Sequence, residues 1–185
     1  MEDRLAGKLL VATPDLTEGL FERSVVLVLQ HDDETAEGVI LNKPVQASVD
    51  DVLPGWQEGA SEPQQVFQGG PVQLDSAVGL VGYPGDGDPP LGIKRLFGAI
   101  ALVDLDAPQD IVWPAISALR IFAGYSGWSA DQLADERARG GWFVVDAEVG
   151  DVFDVDPATL WRRVLRRQTG SLAWVSTYPE DPSLN

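Results

Sequence analysis

The sequence predicts a layered α/β fold, and three observations carry that prediction. Val25-Val26-Leu27-Val28-Leu29 is apolar at every position rather than alternately, as in a strand covered on both faces. Ser129 with Gln132 has capping-box spacing, so a helix starts there. Leu160, Trp161, Val164 and Leu165 fall on one face of a second helix, whose apolar stripe needs a core to cover it.

Along the chain, residues 9–12, 24–30 and 38–41 read as strands, being short, β-branched-rich and bounded by Pro, Asp or Gly. The second and third form a hairpin. Residues 54–65 and 82–90 are rich in Pro, Gly and acidic side chains and read as surface loops within one domain spanning 1–185. Further strands fit 77–81, 98–103, 121–123 and 142–145. Gly140-Gly141 stops the first helix in a left-handed turn. The second helix runs from Pro157, capped by Asp156, to Arg167.

A chain of 185 residues, 44% hydrophobic and 23% charged, has the composition of an ordinary folded domain. It contains no cysteine, which removes thiol catalysis, disulfides and thiolate metal sites. The mixed charges of Met-Glu-Asp-Arg-Leu-Ala-Gly-Lys are unlike a signal peptide, and no apolar run approaches the ~18 residues of a membrane span. Neither export nor a membrane partner is expected. Thirteen Lys+Arg against 29 Asp+Glu give a formal charge of −16, and no basic residue lies between Lys43 and Lys94. Such a surface repels polyanions, so direct nucleic-acid binding is disfavoured while a basic protein or a cation is easier to accept.

Ordered motifs run through the chain: Gly7-Lys8-Leu9-Leu10-Val11-Ala12-Thr13-Pro14, Phe21, Ser24-Val25, and Gly38-Val39-Ile40-Leu41-Asn42-Lys43-Pro44. They continue with Gly69-Gly70-Pro71-Val72, Phe122-Ala123-Gly124-Tyr125-Ser126-Gly127-Trp128, Gln132-Leu133, Trp142, Leu160-Trp161 and Pro179-Glu180-Asp181-Pro182-Ser183-Leu184-Asn185. In this order the chain resembles the YqgE/AlgH family of small cytoplasmic bacterial proteins. The resemblance implies an α/β (α+β) fold in which a mixed, bifurcated β-sheet curls into a pseudo-barrel with flanking helices. It implies no reaction. Some relatives carry a transcription-regulator label through a connection with alginate control, and that label does not require DNA contact. Ser126 departs from the family's usual Gly-Tyr-Ala-Gly-Trp.

The candidate chemistry is sparse. Gly124-Tyr125-Ser126-Gly127 is not a nucleophile elbow, because Trp128 stands where the second glycine is needed, and it reads as a turn-forming segment. A serine mechanism would also have to recruit His31, the one histidine. His31-Asp32-Asp33-Glu34 offers metal-ligand and acid–base groups, yet neighbours in an extended chain point to opposite faces, which favours an acidic hairpin loop. Asn42-Lys43 and Gly69-Gly70 would form a ligand site if both end neighbouring strands, against the plainer reading of turn geometry. Neither phosphate-loop nor dinucleotide glycine pattern is present, so no cofactor is expected. Tyr125 and Trp128, ahead of the helix that includes Gln132, would make an aromatic platform, against simple packing. Arg162, Arg163, Arg166 and Arg167 fit a helix C-terminus better than a nucleic-acid patch.

The expected function is therefore an accessory or regulatory protein binding an unknown protein or small-molecule partner, with candidate contacts Asn42, Lys43, Gly69, Gly70, Tyr125, Trp128 and Gln132. The competing readings are a metal- or carboxylate-assisted enzyme using His31 and a direct DNA-binding regulator using the arginines.

Overall fold

A computed structural model describes residues 4–17 and 19–180. The chain forms, in order, β1 (Lys8–Ala12), β2 (Val25–His31), β3 (Thr35–Ile40), β4 (Pro44–Ser48), α1 (Val49–Val52), β5 (Gln65–Gln68), β6 (Val72–Gly82), β7 (Ile93–Phe97), β8 (Ile100–Val103), α2 (Gln109–Val112), β9 (Ala118–Ser129), α3 (Ala130–Ala138), β10 (Trp142–Asp146), α4 (Val149–Val152), α5 (Leu160–Arg166) and α6 (Ser171–Val175). The motif residues 181–185 lie outside the described residues.

Strand order is β10-β1-β2-β3-β9-β6-β8-β7, antiparallel throughout. The fork sits on β9. One edge of β9 carries β6; the other carries β3 opposite residues 126–129 and, in parallel, β5 opposite Phe122 and Ala123. Because β4 pairs with β5, the sheet splits there into two wings and curls into a half-barrel. This is the mixed α/β, bifurcated architecture expected from the resemblance.

Side-chain alternation explains the layers. Val25 and Leu27 point to the inner cluster, with Leu9, Val39, Phe67, Phe122 and the α5 stripe Leu160, Trp161, Val164 and Leu165. Val26 and Val28 point to an outer cluster with Leu10, Ile40, Trp128, Trp142 and Leu133 of α3. The other wing buries Val81, Val103, Leu119 and Ile121 against Trp56 and Val112. The expectation that 25–29 is covered on both faces holds: the first four residues have no exposure and Leu29 is partly buried. Each fully buried aliphatic side chain contributes about 1.5–3 kcal/mol.

Three local readings need correction. Residues 124–127 are not a turn but part of β9, and Gly124 at φ +69° marks the irregularity where the β6–β9 register shifts. The 54–65 segment is not simply a surface loop: Trp56 is 3% exposed and packs edge-on against Trp113 at 5.2 Å. The Asp156 carboxylate accepts from no backbone N–H of the helix; it accepts from Thr159 Oγ1 at 2.9 Å, and a single 3-10 turn, Pro157–Thr159, precedes α5. At α3 the Ser129 hydroxyl does accept from Gln132 N at 3.1 Å, and Gly140 is left-handed at φ +79°. No helix among the described residues is long and apolar enough to cross a membrane.

Candidate ligand-binding site

The structure brings Asn42-Lys43 and Gly69-Gly70 together, since Gln68 N donates to Lys43 O at 2.8 Å. Their polar groups, however, face inward. Gly69 N donates to Ala123 O at 2.9 Å, while Gly69 O accepts from Ile40 N at 2.8 Å and from the buried Ser126 hydroxyl at 3.0 Å. A Cβ on Gly69 would lie 2.4 Å from Gly124 O, and one on Gly70 2.1 Å from Tyr125 O. The glycines thus let two backbones meet at the fork.

Asn42 and Lys43 grip a loop instead. Asn42 Oδ1 accepts from Val25 N at 3.0 Å and its amide donates to Arg23 O at 2.9 Å. Lys43 Nζ donates to Glu22 O at 2.7 Å, and its burial lowers the ammonium pKa, with Glu22 opposing. Held this way, Arg23 adopts φ +52°, a left-handed conformation that a non-glycine residue seldom keeps without such support.

Arg23 opens onto a cleft of about 460 Å³ lined by Pro14, Leu16, Tyr178 and the acidic residues Asp15, Glu22 and Glu180. Its Nη2 donates to Tyr178 O at 3.0 Å and Pro179 O at 2.7 Å, tying these two residues to the cleft wall. Its guanidinium stacks on Trp161, 4.4 Å from the ring centroid. Burial, then the positive charge of Arg162, lower its pKa, while Glu180 and Glu22 oppose the shift. Sequence reasoning missed Arg23, Asp15, Glu22 and Tyr178 as a group. The available signal was an arginine two positions before the unbroken apolar run 25–29, between the landmarks Phe21 and Ser24.

Tyr125 and Trp128 do not share a platform. Three positions apart on one strand, they face opposite sides of the sheet, Tyr125 against the inner cluster and Trp128 within the outer one. Trp128 Nε1 and Trp142 Nε1 donate to Glu136 Oε2 at 3.0 and 2.8 Å, and Gln132 Nε2 donates to Glu136 Oε1 at 3.0 Å. Phe21 closes this cluster 5.7 Å from the Trp142 ring.

The family model described as AlgH-like matches residues 9–173. The chain belongs to the AlgH-like family. It is 56% identical to a UPF0301 protein of Streptomyces coelicolor over 98% of this chain and 95% of that one. A Corynebacterium diphtheriae protein of known crystal structure is 33% identical, with a TM-score of 0.88 over 96% of this chain and 94% of the other. The solution structure of AlgH from Pseudomonas aeruginosa is 23% identical, with a TM-score of 0.68 over 97% and 96%, and shows the same fold.

In this AlgH-like chain five side chains of the other charged motifs, His31, Asp32, Arg162, Arg163 and Arg167, are internally engaged. Asp32 Oδ1 accepts from Glu34 N at 2.9 Å and Thr35 N at 2.8 Å, and those bonds hold its pKa below the usual carboxylate range. His31 Nδ1 accepts from Leu5 N at 3.0 Å. His31 ends β2, residues 32–34 form the hairpin turn to β3, and among the described residues these side chains form no metal-holding group. Arg163 pairs with Asp154, and Arg167 pairs with Asp151 at 2.6 Å and Glu148 at 3.4 Å. Arg162 donates to Ser176 O. One arginine outside that cluster is more deeply placed: Arg120, 1% exposed, donates to Asp154 O at 2.9 Å and Glu62 O at 2.6 Å and lies 4.2 Å over Phe67. Burial lowers its pKa to about 10, so it stays charged at neutral pH.

Proposed function

We propose that this chain is a non-enzymatic cytoplasmic accessory protein that holds a protein segment or small ligand in the Arg23 cleft, and that any transcriptional role passes through the bound partner. One observation carries the reading: Arg23 is held in a left-handed conformation by the Asn42–Lys43 motif and faces a cleft lined by Tyr178, Pro179 and Glu180. Strain of this kind costs on the order of 1–3 kcal/mol, and it concentrates where a side chain must be aimed. Asn42 and Lys43 then act as positioning residues. Gly69, Gly70 and Tyr125 shape the fork behind them, and Trp128 and Gln132 brace α3. Direct DNA contact is disfavoured because Arg163 and Arg167 already face carboxylates and the chain carries −16.

The test is affinity capture from native lysate with wild-type and Arg23→Ala protein, followed by mass spectrometry of co-purifying proteins and small molecules. At least one species retained by the wild type and lost from a folded Arg23→Ala variant is expected. Identical retention by both proteins overturns the assignment of the cleft.

A further inference from the structure

The cleft has a charge arrangement that narrows what fits it. Arg23 and Arg162 crowd one indole, their guanidinium carbons 4.4 and 6.0 Å from the Trp161 ring centroid. Neither forms an ion pair among the described residues; their bonded partners are the backbone carbonyls of Tyr178, Pro179 and Ser176. Arg162 lies outside the cleft lining, but its positive charge bears on Arg23, and an oxyanion on Arg23 offsets that repulsion. Arginine is also suited to a planar carboxylate or a phosphate, through its fork of donors.

An anion alone meets a second constraint. Asp15, Glu22 and Glu180 line the same cleft, in a chain whose formal charge is −16. A ligand with only negative charge approaches against that field, and one with only positive charge meets Arg23. A molecule bearing both charges satisfies both sides. Pro14, Leu16 and Tyr178 supply apolar wall for a short body between the two charged ends, and about 460 Å³ lies within the range of small-molecule sites.

We infer that the cleft binds a small zwitterion, with its carboxylate or phosphate on Arg23, supported by the charge of Arg162, and its ammonium facing Asp15 and Glu180. The inference rests on the cleft reading above and adds the class of ligand. Tyr178 lines the body of the molecule, and Trp161 supports the Arg23 guanidinium over its ring.

The experiment is an NMR titration of the full ¹⁵N-labelled chain, following the Arg23 Nε–H and Trp161 indole resonances. The zwitterionic probes are γ-aminobutyrate and phosphoethanolamine, which separate a carboxylate from a phosphate preference. The single-charge controls are butyrate, ethyl phosphate and butylamine. The expected result is saturable shifts with one zwitterion at a Kd of about 1 mM or tighter, at least about tenfold tighter than any control. Glu180→Gln weakens the zwitterion but not butyrate. Arg23→Gln abolishes the shifts of the Trp161 indole, and if that variant does not fold, Arg162→Gln weakens the bound zwitterion by about fivefold, the loss of a long-range charge rather than of a direct bond. Butylamine binding as tightly as the zwitterions overturns the inference, as does an absence of shifts with both zwitterions. If capture from lysate is Arg23-dependent while both zwitterion titrations are blank, the ligand class is wrong and the cleft assignment stands.

Discussion

The fully buried Ser126 hydroxyl donates to Gly69 O at 3.0 Å, across the point where β3 and β5 part on the edge of β9. Gly69 O also accepts from Ile40 N, so removing the hydroxyl does not orphan the carbonyl. Ser126→Ala should therefore cost about 0.5–1.5 kcal/mol in urea unfolding and leave ligand capture intact. Loss of capture with unchanged folding would restore a functional role to this serine.

The fork itself is less tolerant. A Cβ on Gly70 would meet Tyr125 O at 2.1 Å, backbone that cannot swing aside, whereas one on Gly150 in α4 has nothing within 4 Å. Gly70→Ala should destabilise by about 3 kcal/mol or more, and Gly150→Ala should be neutral or stabilising by up to about 1 kcal/mol. Similar denaturation midpoints for the two variants would contradict the close approach.

A single cooperative unit is expected, because three clusters share the strands of one ten-stranded sheet. Amides of Val26, Leu27 and Val28 should then exchange only through global opening, slower than those of residues 84–90. Fast exchange in β2, or separate unfolding transitions by near- and far-ultraviolet circular dichroism, would count against it.

Acid should loosen the structure through depressed carboxylates. Backbone bonds from Thr35 and Glu34 lower the pKa of Asp32, and Lys8 lowers that of Asp146. A group whose folded pKa is depressed contributes stability above its unfolded pKa and loses it as pH falls through the folded value. Stability should fall below about pH 4, and Asp32→Asn should make that fall shallower. Urea midpoints measured from pH 6 to pH 2 in both proteins give the comparison, and an unchanged slope would remove Asp32 from the account.

Duplex DNA should not bind. Fluorescence anisotropy at near-physiological salt, with genomic fragments and random competitor, should show no saturable complex tighter than about 10⁻⁷ M. A tighter, competitor-resistant complex abolished by Arg163→Glu with Arg167→Glu would require those arginines to leave Asp154 and Asp151, and would sink the indirect reading.

Local pattern was sufficient for β2, for the α3 cap at Ser129 and for the buried stripe of α5, because each depends on residues within a few positions of one another. The family and its forked sheet were legible from the ordered motifs. Tertiary structure decided the rest. Tyr125 and Trp128 look like one aromatic pair in sequence, but the extension of β9 through Ser129 sends them to opposite layers. Asn42 and Lys43 were recognisable as a motif, yet their task of setting the backbone of Arg23 depends on hydrogen bonds that span the β2–β3 hairpin. The cleft joins Arg23 to Tyr178, 155 positions away, through bonds to main-chain carbonyls. Main-chain acceptors are the same in every residue type, so no composition, spacing or periodicity marks which of them a distant arginine will reach.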